Sequence, residues 1–264
     1  MIKERENHHM KVIACYKVVP YEQSISVAAD GSLNFDKAEL IVGQYDLNAI
    51  EAGAQLVEKN GGELTALTVG TAEVENSKLR KSVLSRGPAN CVTVNDPALA
   101  NADCAATSAA LAEAVKKIGQ YDLVLCGEGS SDLYAQQVGV QLGERLGVPS
   151  INGVISIEAG DGFVTVQRSA DGEVETLTVS LPAVLAVASG INTTRVPSMR
   201  DILAAGKKPV STWSGADVAV PADKRTETLS VLAPQKTARA CKLFTGDDGE
   251  TLAAFAAAVS AELK

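Results

Sequence analysis

The chain has 264 residues, 46% of them hydrophobic and 21% charged, with a net charge of −8. This is globular composition, long enough for one large domain or two small ones. The acidic balance argues against a general nucleic-acid binder, which needs a basic face to neutralise phosphates. No apolar run approaches the ~18 residues of a membrane span, and no charged leader precedes an apolar stretch as in a signal peptide.

The five cysteines contain no CxxC pair. A zinc ribbon and a disulfide framework are therefore poor readings, and a reducing, cytoplasmic compartment is expected. The two histidines are His8 and His9. From Met10 onward there is none, which removes His-dependent triads, His-ligated metals and His general bases. Residues 1–9 read as a leader or a cloning remnant, with Met10 as the natural start.

KVIACYKVV (11–19) is an apolar run ended by Pro20 and predicts a buried strand. Residues 20–42 read as an irregular excursion with a hairpin turn at Asp30-Gly31. DLNAIEAGAQLVEK (46–59) has apolar residues at helical spacing and is stopped by Gly61-Gly62. Strands are expected at 63–70, 90–96 and 121–127. Helices are expected at 73–86, 103–119 and 133–147. Apolar strands without alternation, separated by helices, predict a parallel sheet covered on both faces, hence a doubly wound α/β fold.

The pattern then changes. Residues 163–187 predict strands joined at Asp171-Gly172, an antiparallel addition to the same sheet. From about 190 the chain reads as irregular, and from 214 to 246 it is polar without periodicity. Residues 247–264 predict a helix with acidic residues in its first turn. So long a structureless segment before a terminal helix suits an arm around a partner chain. The expected organisation is therefore an α/β nucleotide-binding domain at 10–213, with a loop at about 190–206, and an arm at 214–264.

CGEGSSDLYAQQVG (126–139) is the strongest local feature. It follows a predicted strand and opens a predicted helix, where ligands of parallel sheets bind. Gly127 and Gly129 allow close backbone approach. Ser130, Ser131 or Asp132 is expected to cap the helix, whose first-turn amides suit a phosphate. The spacing departs from the dinucleotide fingerprint and from the P-loop, so phosphate binding and a plain capped helix both remain open. Gln44, Tyr45 and Asp46 form a second helix start, read alone as an N-cap with Asp46 capping. The segment 197–209 holds Met199, whose flexible thioether suits either an adaptable contact or a core gap. Cys15 and Cys126 end predicted strands at the same edge, and nothing beside them in sequence activates either thiol. No nucleophile-plus-base pair is present, so the chain reads as a binder or carrier of a nucleotide cofactor rather than a hydrolase.

Taken in order, KVIACYKVVP, GQYDLNAIEA, LTVG, YDLVLCGEGSSDLYAQQVG, LPAVLAV and PSMRDILAAGKKP resemble the electron transfer flavoprotein beta subunit over residues 10–264. GSSDLYAQQVG and QYDLNAIEA resemble the Fix-type and carnitine-pathway branch most. The resemblance implies a Rossmann-like, adenine-nucleotide-binding sheet in an electron carrier. Its partners would be an alpha subunit, an acyl-CoA-type dehydrogenase and a quinone reductase, in fatty-acid or carnitine metabolism. FAD would be shared with the alpha subunit, and AMP or a second FAD would sit in this subunit.

Carried over by position, the implied cofactor site is Cys15, Gln44, Tyr45, Asp46, Val69, Gly127, Gly129, Ser130, Ser131, Asp132, Ala135, Gln136, Gln137 and Val138. The implied docking loop is Ser198, Met199 and Arg200, with Arg200 where the family commonly has Pro. Tyr21 and Tyr45 are the aromatics placed to approach a flavin. The alternatives are an electron-bifurcating variant with a second FAD here, or a stand-alone regulator of the universal-stress type. The arm and the PSM…KKP segment argue against the stand-alone regulator.

Overall fold

The computed structural model of the chain describes residues 9–220, 224–235 and 241–263. Residues 1–8 of the expected leader lie outside them, as do 221–223, 236–240 and 264 of the expected arm. In chain order the elements are β1 (Met10–Cys15), β2 (Val18–Pro20), β3 (Ser26–Val27), β4 (Leu33–Asn34), β5 (Leu40–Val42), α1 (Gln44–Asn60), β6 (Gly62–Gly70), α2 (Ser77–Leu84), β7 (Asn90–Asn95), α3 (Cys104–Ile118), β8 (Leu123–Gly127), α4 (Val138–Leu146), β9 (Ser150–Ala159), β10 (Phe163–Ala170), β11 (Glu173–Ser180), β12 (Ala183–Val187), α5 (Met199–Ala205), β13 (Val210–Ser214), α6 (Gly215–Val218) and α7 (Gly249–Glu262). They divide into two compact units, one within Met1–Ser26 and Asn34–Ser230, the other within Val27–Leu33 and Val231–Lys264.

The first unit is built on a nine-stranded sheet of order β11-β10-β9-β12-β8-β1-β6-β7-β13 among the described residues. Pairing is parallel from β9 through to β13, and antiparallel only where β10 meets β9 and β11. This is the doubly wound, Rossmann-like architecture expected from the strand–helix alternation. Successive side chains of a strand face opposite ways. Val12 and Ala14 enter one core with α1, α2 and α5. Ile13 and Cys15 enter the other with α3, α4 and α6. Both faces being covered, the strands carry apolar residues throughout rather than alternately.

The topology creates a crevice. From β1 the chain moves outward through β6 to β7, then returns to place β8 on the other side of β1. The reversal falls between β1 and β8, and ligands of open α/β sheets bind at such a switch point, beyond the carboxyl ends of the strands.

Several expected elements are corrected. The strand expected at 11–19 divides: β1 ends at Cys15, the Lys17 amide turns to the Asp46 carboxylate, and β2 pairs with β5 instead of the main sheet. The helix expected at 73–86 starts at Ser77, because the Asn76 side chain accepts from the amides of Lys78 and Leu79 and caps it there. The helix expected at 133–147 starts at Val138. Tyr134 and Gln136 have left-handed backbones, φ 46° and 56°, which no helix continues through.

Strand β9 was not expected, and β12 is a parallel interior strand rather than part of the antiparallel addition. The region from 190, expected to be irregular, contains α5 and the edge strand β13. Ser198 starts α5 with a capping box, its side chain accepting from the Asp201 amide while Asp201 accepts from the Ser198 amide.

In the second unit, Ser32 and Leu232 form a β-bridge, and the Ala233 amide bonds the Gly31 carbonyl at 2.8 Å. Asp248 caps α7 through the amides of Glu250 and Thr251. The Phe244 and Phe255 rings meet edge to face, 5.6 Å apart.

Candidate functional site

At the switch point a cleft of about 410 Å³ is lined by Glu22, Gln44, Tyr45, Ser130, Ser131, Tyr134 and Ser189. That volume lies in the range of small-molecule sites. Asp46 directly follows Tyr45 of that lining. Gly43, not Asp46, is the N-cap of α1. The buried Asp46 carboxylate instead spans the switch point: one oxygen accepts from the Lys17 amide at 2.8 Å, the other from the Gly127 amide at 3.3 Å. Burial pushes its pKa up to about 7, even though both amide hydrogen bonds favour the charged form.

Gly127 is required by this closeness. A Cβ there would lie 2.7 Å from Asp46 Oδ1 and 2.8 Å from the Tyr45 carbonyl carbon. Gly129 is required by the next layer, since a Cβ would meet the Tyr134 ring at 2.6 Å. The Tyr134 ring in turn stacks obliquely on Tyr45, centroids 5.2 Å apart, and its hydroxyl donates to Glu128 at 2.9 Å. That bond to a carboxylate, more than burial, raises the Tyr134 pKa to about 12.

The loop from Ser131 to Gln137 is exposed. Ser130, Ser131 and Asp132 therefore do not cap the helix as expected. Gln137 is the N-cap of α4 and makes no side-chain capping bond. The first-turn amides of α4 begin at Val138 and have no partner within the helix. Asp132 instead pairs with Lys17, Nζ to Oδ2 at 2.6 Å. Burial raises its carboxyl, and hydrogen bonds from Lys17 and Ser130 more than offset this, leaving it below its ordinary value.

Among the residues singled out from the sequence, Gln44, Tyr45, Ser130 and Ser131 converge on the cleft. Gly127 packs against Tyr45 and Asp46, Gly129 packs against Tyr134, and Asp46 joins the Lys17 and Gly127 amides. Cys15 lies deeper, buried at the end of β1. Its hydrogen bond to Cys126 and its burial hold it as a thiol, well above the usual range. Val69 is partly buried against the same core near the end of β6. Ala135 and Gln136 ride the exposed loop, and Val138 packs at the start of α4. Tyr21 directly precedes the turn that carries Glu22 to the cleft.

Ser198, Met199 and Arg200 lie elsewhere, at the start of α5. Met199 is 73% exposed and stands with Val196 and Leu203 on an open apolar stripe. Arg200 lines a groove with Leu203, Ala204, Lys207, Lys208 and Pro209.

Sequence reasoning missed Lys17, Asn48, Glu51, Tyr134 and Arg195. Asn48 and Glu51 did carry a signal, being polar residues inside the apolar run of α1. Both are buried. Asn48 Nδ2 donates to the Asn192 carbonyl at 3.1 Å, and the Arg195 Nε donates to Glu51 at 2.7 Å.

A mostly parallel sheet covered on both faces, with a cleft at its switch point, defines an α/β protein of the doubly wound class. Within that class, residues 32–218 match the electron transfer flavoprotein domain, which spans most of the first unit. The chain belongs to the electron transfer flavoprotein family. Proteins of this family are electron carriers and associate with flavin. Among the described residues, no helix is long and apolar enough to cross a membrane.

Proposed function

We propose that this chain is the beta subunit of a heterodimeric electron transfer flavoprotein, carrying electrons between an acyl-CoA-type dehydrogenase and a quinone reductase. The observation that carries this reading is the family match lying over a switch-point cleft with an open glycine loop. The loop Gly127–Val138 and the α4 amides suit a phosphate, because donors at a helix N-terminus and its dipole both favour an anion. Gln44, Tyr45, Ser130 and Ser131 would hold the remainder of AMP, or of a second FAD. Asp46 would keep the two loops in register without touching the ligand.

A bound FAD would supply one- and two-electron chemistry. The aromatic pair Tyr45–Tyr134 and the nearby Tyr21 are the groups available to cover a ring. The apolar stripe at Met199, beside Arg200, suits docking of a dehydrogenase, where one buried anchor can dominate a weak interface. The exposed apolar residues of α7, Leu252, Phe255 and Val259, suit an alpha-subunit contact.

The test is a cofactor count on the co-purified complex, by acid release of nucleotides with a visible spectrum. One FAD and one AMP per heterodimer is the expected result. Two FAD and no AMP makes the cleft a redox site and the bifurcating variant the better reading. A colourless chain that binds ATP alone overturns the carrier reading.

A further inference from the structure

One face of α1 carries Asn48, Glu51, Gln55 and Glu58, spaced three or four apart, so they form a stripe along the helix. This stripe holds the segment that leads into α5. Asn48 Nδ2 donates to the carbonyls of Ser189 and Asn192, and Asn192 Nδ2 returns a bond to the Asn48 carbonyl at 3.0 Å. Three residues on, Arg195 spends its whole guanidinium on α1. Its Nε and one terminal nitrogen grip Glu51 at 2.7 and 3.1 Å, while both terminal nitrogens grip Glu58 at 2.6 and 3.1 Å. The Arg195 amide also donates to Glu51, at 3.1 Å.

This is a built arrangement rather than a surface coincidence. Glu51 is 5% exposed at its side chain, and a nearly buried carboxylate requires a charged, multiply bonded partner. Gln55 satisfies it further, from 2.8 Å. Immediately beyond Arg195 the chain presents its open apolar residues, Val196 and Met199. Three residues before Asn192, Ser189 lines the cleft. The first turn of α1 supplies Gln44 and Tyr45 to that cleft. One helix therefore touches the cleft with its first turn and holds the α5 lead-in with its flank.

We propose that Arg195 is a positioning residue which fixes the α5 docking stripe on α1, so that filling the cleft steadies α5. Arginine serves better than lysine, because lysine offers a point charge and cannot fork between two carboxylates. The coupling rests on the nucleotide reading of the cleft; the positioning role does not.

The test is hydrogen exchange of the full chain, read by peptide mass spectrometry, for wild type, Arg195→Gln, Arg195→Lys and Glu58→Gln, each with and without AMP or FAD. Exchange reports local opening segment by segment. Without nucleotide, Arg195→Gln is expected to speed exchange across 193–205 about tenfold or more, with β1, β6 and β8 unchanged. Glu58→Gln, which leaves the buried Glu51 paired, should speed the same segment by about threefold, and Arg195→Lys should rescue only part of the loss.

AMP or FAD should slow exchange across 193–205 in the wild type and not in Arg195→Gln. If neither Arg195→Gln nor Glu58→Gln alters 193–205 selectively, the positioning role is overturned. Should nucleotide protect 44–46 and 127–138 but not 193–205, the coupling is overturned while the cleft reading stands. Failure of both nucleotides to bind overturns the cleft reading and the coupling together, and the variants without nucleotide still judge Arg195. Loss of protection throughout the sheet in Arg195→Gln would mean a general stability role, and it too overturns the proposal.

Discussion

Helices α3 and α7 are close in length and composition, CAATSAALAEAVKKI against GETLAAFAAAVSAE, yet they end in opposite environments. Eight residues of α3 are buried, among them Ala110, Leu111 and Val115. None of the described residues of α7 is, and Leu252, Phe255 and Val259 face outward. Alanine-rich composition makes both segments helical. What differs is the neighbouring surface: α3 lies on a sheet whose second face needs covering, while α7 belongs to a unit with few elements of its own. Exposed apolar surface of this kind marks interaction sites in general.

The largest expected effect separates these helices directly. Leu111→Ala should cost about 2–5 kcal/mol of unfolding free energy, since it opens a cavity in a packed core. Phe255→Ala should cost about 1 kcal/mol or less in the chain alone, the loss of one edge contact. In the proposed complex with an alpha subunit the order should reverse, with Phe255→Ala weakening subunit affinity by about thirtyfold or more and Leu111→Ala leaving it nearly unchanged. Urea titration and sedimentation velocity measure the two halves. Equal losses in both assays would break the comparison.

Gly127→Ala comes next. The added methyl meets Tyr45 backbone and the Asp46 carboxylate, and overpacking of this kind costs about 1–3 kcal/mol. Cofactor content should fall further than stability does, because the two walls of the cleft are pushed apart.

Asp46 gives a pH test with a defined sign. Its native pKa is raised to about 7, above an unfolded value of about 3.9. The native state therefore holds the extra proton, and this group's contribution to stability declines as pH rises from about 4 to about 7. Asp46→Asn removes that decline. Relative to wild type the variant should gain stability as pH rises from about 4 to about 7. It should also hold less nucleotide, since an amide side chain presents one acceptor to two backbone donors. Denaturant curves at several pH values check the first, and nucleotide release the second. The smallest effect belongs to Lys17→Met. It removes a partly exposed ion pair with Asp132 and should cost about 0.2–1 kcal/mol, diminished further by salt.

Much of the fold was legible because both faces of the sheet are covered. Runs such as LVLCG and NCVTVN announce interior strands whatever their neighbours are. The helix starts were misread where a polar side chain was given the wrong task. Asp46 looks like a cap and is a bridge; Ser130 to Asp132 look like caps and belong to a loop held open by two left-handed residues. Such tasks depend on which strand lies alongside, and spacing carries no record of that. Strand β9 stayed hidden because SINGVISIEA mixes small, polar and apolar residues without a clean period. Arg195 stayed hidden for a related reason, since its two carboxylate partners lie 144 and 137 residues away.

One further feature bears on how the chain is handled in the laboratory. Asp103 caps α3 through the Ala106 amide, and its other oxygen accepts from the amides of Arg225 and Thr226 at 2.7 and 2.8 Å. These bonds hold its carboxyl down at about 2, so the grip persists through mildly acidic buffers. A shortened version stopped at 220 would forfeit the last stitch of the α/β unit, whereas one stopped at 230 would keep it. The sensible place to cut this protein is therefore ten residues later than the final helix of the sheet suggests.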